Sequence, residues 1–131
     1  MAIIGAHMLL NTTQPEAVRA ILRDVFGFKN VDAGGGWLIF ALPPSELGVH
    51  PAEGHAQGQT GRHEISFMCD DIAATVAQLK GKGVEIDGVP IDRGFGITVT
   101  MKLPGGVEVL LYEPRHPMAI NPSQGAATPS A

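Results

Sequence analysis

The sequence predicts an α+β protein made of two βαβββ modules in tandem. Three observations carry that expectation. Two amphipathic helical segments occupy corresponding places, each after a short apolar strand and each before three extended stretches. A shift of 57 residues aligns His7 with Glu64, Leu10 with Phe67 and Leu22 with Leu79, and a shift of about 61–62 aligns "ALPPSELGVHP" with "KLPGGVEVLLYEP". A repeat of this length marks a unit unable to bury its sheet face alone. The chain has 131 residues, enough for one domain with one sizeable core.

The first strand is expected in "AHMLLNT", residues 6–12. The helix that follows, 15–26, sets Val18, Ile21, Leu22, Val25 and Phe26 on one face and Glu16, Arg19, Arg23 and Asp24 on the other. Thr13 and Glu16 have the spacing of a capping box, Pro15 suits the first turn and Gly27 closes the helix. Extended stretches are expected at 29–33, in "WLIFAL" at 37–42 and in "ELGVHP" at 46–51. In the second half, "EISFMCD" leads to a helix over 72–82 with Ile72, Val76 and Leu79 buried, capped by Asp71 and ended by Gly83. Strands are expected at 84–87, 96–103 and 107–114. The runs "AGGG" and "PGG" are turns, because they lack the strand-to-helix setting of a phosphate loop. These boundaries give one domain over 1–117, with module one at 1–56 and module two at 57–117. From about 118 the composition turns to Ala, Pro and Ser, and 118–131 reads as a flexible tail.

Composition narrows the function classes. A net charge of −4, with Lys and Arg scattered, argues against nucleic acid as a partner. No apolar run reaches the roughly 18–20 residues of a membrane span, and the apolar N-terminus lacks the features of a signal peptide. A single cysteine, Cys69, makes no internal disulfide, which fits the cytoplasm.

Local signatures then point to a family. "RDVFGF" at 23–28, "LGVHP" at 47–51, "DDIAATVAQLKGKGVE" at 70–85, "GFG" at 94–96 and "LPGGVEVLLYEP" at 103–114 occur in an order and spacing that resembles the vicinal-oxygen-chelate superfamily. That group includes glyoxalase I, the fosfomycin- and bleomycin-resistance proteins and the extradiol dioxygenases, and the resemblance covers residues 3 to about 114. It implies mixed sheets curled around a cleft, with helices on the outer face, and a homodimer whose paired chains complete or cover the clefts. In the metal-dependent members, four pocket-facing positions hold a divalent ion that chelates adjacent substrate oxygens as a Lewis acid.

Strand alternation assigns side chains to that pocket. Met8 and Leu10 are expected on the helix, which sends His7, Leu9 and Asn11 inward. Ile65, Phe67 and Cys69 form the helix-side set of the second strand, so Glu64, Ser66 and Met68 face the pocket and His63 points away. A bulge near Arg62 would reverse this. Leu47, Val49, Val109 and Leu111 read as helix-side, leaving Glu46, Gly48, His50, Glu108, Leu110 and Tyr112 inward. The resemblance places the family's ligand positions at His7, Gly48, Glu64 and Leu110. Glycine and leucine offer no donor, and two ligands seldom hold a divalent ion. No cofactor is therefore the first expectation, with Zn, Ni, Mn or Fe as the alternative.

His7 is either a ligand or general base, or a histidine that simply exchanges hydrogen bonds in the cleft. Glu64, if buried among apolar neighbours, needs a partner, and burial would raise its pKa toward general-base range. A His7–Glu64 pair would satisfy both groups. Leu9, Asn11, His50, Ser66, Met68, Leu110 and Tyr112 are the candidate ligand-binding residues. Trp37 is expected in the core, Phe95 in core or cleft wall, Cys69 in the core, and His55, His63 and His116 in solvent. Two functions follow. One is a cleft protein that binds a small, partly apolar organic molecule without the full metal site. The other is a lyase, isomerase or dioxygenase using His7 and Glu64, with or without a divalent metal. The missing donors at 48 and 110 favour the first.

Overall fold

The computed structural model describes residues 7–49 and 62–120. The chain is α+β, with two helical segments and mixed sheets. Helix α1 (Pro15–Ala20) continues as a π-helical turn over Ile21–Val25. Strands β1 (Asn30–Asp32) and β2 (Leu38–Phe40) form an antiparallel hairpin. Then come β3 (Ser66–Met68), α2 (Ile72–Gly81), β4 (Glu85–Asp92), β5 (Gly96–Leu103) and β6 (Val107–Pro114). The larger sheet has the order β3-β6-β5-β4, in which β3 runs parallel to β6 and the other pairs are antiparallel.

The second half is the βαβββ unit expected of it. The Asp71 carboxylate accepts from the Ala74 N–H at 3.0 Å and caps α2. The far end closes in a Schellman motif: Gly83, at φ 88°, lets Val84 N–H reach Leu79 O and its own N–H reach Lys80 O, both at 3.0 Å. Strand parity is as expected here. Val99, Met101 and Leu103 of β5 and Val109 and Leu111 of β6 are buried on the helix side, and they meet Ile72, Val76 and Leu79 of α2 and Val18 of α1 in one core. The opposite face carries Ser66, Leu110 and Thr100 in one cross-strand row and Met68, Tyr112 and Thr98 in the next.

The first half follows the same plan less completely. Leu22 aligns with Leu79 at a shift of 57, but Gly27 aligns with Gly83 at 56, so the first helix has one extra residue before its terminal glycine. A π turn absorbs it. Phe26 N–H bonds Ile21 O and Phe28 N–H bonds Leu22 O, both at 3.0 Å, and Gly27 takes φ 72°. The capping box does not form. The N-cap is Gln14 without a side-chain bond, and Thr13 stays out of it. Thr12 acts instead, accepting from Gln14 N–H at 3.1 Å and donating to Pro104 O at 2.8 Å. This stitches the chain to the β5–β6 turn, where a side chain at Gly105 would collide with the Thr12 hydroxyl.

Two expected strands are irregular. Residues 7–12 and 46–49 pair with no strand among the described residues, and a strand exists only as a ladder. Without that ladder the parity rule loses its hold. Leu10 still packs against the core, but Met8 is half exposed, and Leu47 and Val49, expected helix-side, are 90% and 91% exposed. Trp37, expected in the core, is 55% exposed, in a hairpin that pairs with no other strand among the described residues. The module boundary at 56/57 falls outside the described residues, as does 121–131. Residues 118–120 are held in place: Ala119 and Ile120 both donate backbone hydrogen bonds to Glu46.

Candidate functional site

Where the halves meet, an open cleft of about 1250 Å³ runs between the end of the first helix, the 42–48 segment, β3 and the residues after β6. Its apolar wall has a sequence cause. The glycine that ends the first helix is flanked by Phe26 and Phe28, and both reach Phe67 on β3. The three ring centroids lie 5.5, 5.5 and 5.6 Å apart, two of the pairs edge-to-face. Aromatic pairs of this geometry add about 0.5–1.5 kcal/mol each beyond the area they bury.

The polar corner is built at the end of β6. Tyr112 lies on the sheet face away from the helices, opposite Thr98 and beside Met68. Its ring packs edge-on to Phe95 with centroids 5.9 Å apart. Gly96 makes this possible, since a Cβ there would come within 2.9 Å of the Tyr112 ring and 2.8 Å of Glu113 O. The Tyr112 hydroxyl is 3.2 Å from His116 Nε2, and His116 Nδ1 is 2.9 Å from Pro117 O. A carbonyl oxygen only accepts, so neutral His116 carries its proton on Nδ1. Its bare Nε2 then accepts from the Tyr112 hydroxyl. Burial raises the Tyr112 pKa above the ordinary phenol value, and the negative charge of Glu46 adds to that. Glu46 Oε2 accepts from Ala119 N–H at 2.7 Å and Ile120 N–H at 3.4 Å.

Of the residues expected in the site, Glu64, Ser66, Met68 and Tyr112 border the cleft. His7, Leu9 and Asn11 are exposed and do not border it, and Leu110 lies on the same sheet face as Ser66 but away from the opening. Met8 borders it instead, the reverse of the expected parity. His50 and His55 fall outside the described residues. Glu64 is exposed, not the buried carboxylate expected, because β3 begins at Ser66 and the chain before it runs free of the ladder. Among the described residues no hydrogen bond joins His7 to Glu64. His63 is exposed, as expected.

His116 was expected in solvent and is half-buried on Tyr112. Glu46 was read as pocket-facing and borders the cleft; Phe26 was read as helix-side, Phe28 was given no face, and neither was assigned to the site. One signal for His116 was present: prolines 114 and 117 bracket "RH" and limit where that segment can go. Cys69 packs against the core, its thiol pointing at Tyr112 O at 3.7 Å. Burial pushes its pKa up, so it is a poor nucleophile.

Among the described residues, the donors present are too few for a divalent ion. His7, Gly48, Glu64 and Leu110 offer two donors, one of them away from the cleft. No three His, Cys, Asp or Glu side chains converge for a metal among the described residues.

Comparison with known proteins agrees with the architecture. The antibiotic binding protein TnmS3 from Streptomyces sp. CB03234 is 21% identical, with a TM-score of 0.60 over 87% of this chain and 98% of that one. A superfamily member from Sphaerobacter thermophilus DSM 20745 is 18% identical, with a TM-score of 0.56 over 86% and 98%. The lactoylglutathione lyase of Agrobacterium tumefaciens is 19% identical, with a TM-score of 0.51 over 75% and 84%. No curated protein matches the chain. Identities this low speak for the fold alone. The family model spans residues 5–114, from the first apolar segment to the end of β6, and by it the chain belongs to the Glyoxalase/Bleomycin resistance protein/Dioxygenase superfamily.

Proposed function

We propose that this chain binds a small, partly apolar organic molecule in the cleft between its two halves, without a resident metal. The observation that carries the reading is the cleft's make-up: apolar side chains on both faces of the edge strand β3, with Phe26, Phe28 and Phe67 on the helix side and Met68 on the other, and polar groups set among them, Glu64 and Ser66 along β3 and Tyr112 and His116 beyond it. Ligand sites take this form, with apolar burial for affinity and a few placed polar groups for orientation. The structural likeness to an antibiotic binding protein supports the same class of ligand. The chain acts in the cytoplasm as a homodimer on this reading. Leu9, Leu47 and Val49, 70%, 90% and 91% exposed, give the first half apolar surface for a second copy to cover. No helix of the described residues is long and apolar enough to cross a membrane.

Titration with N-phenyl-1-naphthylamine, a neutral dye that brightens in apolar surroundings, tests the reading. Saturable enhancement is expected, lost in Phe28→Ser. A linear, unsaturable response would remove the support for a ligand cleft. Melting curves with Zn²⁺, Ni²⁺, Mn²⁺ and Fe²⁺ test the metal-free part. A stoichiometric, strongly stabilising ion, lost in His7→Ala, would instead favour a metal-assisted lyase, isomerase or dioxygenase.

A further inference from the structure

We infer that Tyr112 and His116 form a hydrogen-bond-accepting subsite, which selects ligands presenting a neutral or cationic donor, a hydroxyl or an amine, on an aromatic body. The inference rests on the cleft being a small-molecule site and says which molecules it prefers. The polarity is set by the backbone that follows β6. Pro117 O takes the Nδ1–H of His116 at 2.9 Å, which leaves Nε2 as an acceptor. Nε2 takes the only proton of the Tyr112 hydroxyl at 3.2 Å. The phenol oxygen therefore offers the cleft lone pairs and no proton. The ring packs against Phe95 and close to the backbone at Gly96.

A ligand hydroxyl or amine reaching that corner gains a hydrogen bond. An ether or carbonyl of the same shape puts lone pairs against lone pairs and leaves both groups desolvated and unpaired. Sites that hydrogen-bond one partner reject its unmatched isostere for this reason. The Glu46 carboxylate acts on the phenol, adding to the effect of burial. Anions are disfavoured there, and Arg62, which also borders the cleft, lies at the β3 side, two residues before Glu64 in sequence.

Three fluorescent naphthalenes of one shape test this: 2-naphthol, which donates; 2-methoxynaphthalene, which does not; and 2-naphthoate, an anion. The wild type is expected to bind 2-naphthol about three- to tenfold tighter than the methoxy compound, the size of one net hydrogen bond, with 2-naphthoate weakest. Tyr112→Phe is expected to bind the first two alike. His116→Leu frees the Tyr112 proton, so the methoxy compound gains and the preference narrows. Circular dichroism melts confirm folding, and if Tyr112→Phe does not fold, His116→Leu, beyond the last strand, carries the test. Equal binding of naphthol and methoxynaphthalene by the wild type, or a preference that survives both substitutions, overturns the subsite and leaves the cleft reading intact. Failure of all three to bind overturns the cleft reading and the subsite with it.

Discussion

The two halves share a sequence plan and differ in what they complete. In the second, β3 pairs with β6 and closes a four-stranded sheet over α2. In the first, the described residues make a helix and a hairpin of two three-residue strands, and Val18 is the one buried apolar side chain they add to the core. The difference teaches that a shared pattern of apolar residues does not fix a shared degree of closure. Alternation tells a strand which face to bury only once a neighbouring strand holds its backbone.

The sharpest way to break this comparison is to remove an equal-sized side chain from each half. Met101→Ala, at a fully buried site, is expected to cost about 2–5 kcal/mol in urea denaturation, whereas Leu47→Ala, at an exposed one, should stay within about 0.5 kcal/mol. A comparable loss at Leu47 would mean the first half is as closed as the second. Gly96→Ala comes next. A methyl would press on Glu113 O and the Tyr112 ring, with a cost of about 1–3 kcal/mol in the same measurement. Helix capping separates the halves again: Asp71→Ala should lose about 0.5–2 kcal/mol, and Thr13→Ala, which caps nothing, close to none.

The smallest effect reports how the halves touch. Tyr112 is the only tyrosine of the chain, so tyrosinate absorbance follows it alone. Its midpoint should lie above the ordinary phenol value of 10.0 in the folded protein, return to that value in denaturant, and move down part of the way in Glu46→Gln. The sign for stability follows. A phenol whose folded pKa is raised contributes fully below its unfolded pKa, and that contribution is lost as the pH climbs through the folded one. Stability should therefore fall above pH 10. No change in Glu46→Gln would mean that the first half does not reach the corner.

Much of the second half was legible in the sequence. Strands 96–103 and 107–114, the Asp71 cap, the Gly83 stop and the alternation of Val109 and Leu111 against Leu110 and Tyr112 all rest on local chemistry. The cleft was less so. Glu64, Ser66, Met68 and Tyr112 were placed by counting along strands that exist, and they border it. His7, Leu9 and Leu47 were placed by counting along strands that did not form among the described residues, and the count failed. Glu46 and Gly48 were read inward and border the cleft, whereas His116 enters through a bond to the backbone of an irregular segment after β6, which has no period to read.

The family-matched span stops at Pro114, yet the hydrogen-bond partners of the Tyr112 hydroxyl at the cleft's corner, His116 and through it Pro117, lie just beyond it. Chemical taste and scaffold are thereby separable. On the proposed subsite, exchanging His116 and Pro117 would retune which molecules are welcomed while the residues of every strand and helix stay as they are.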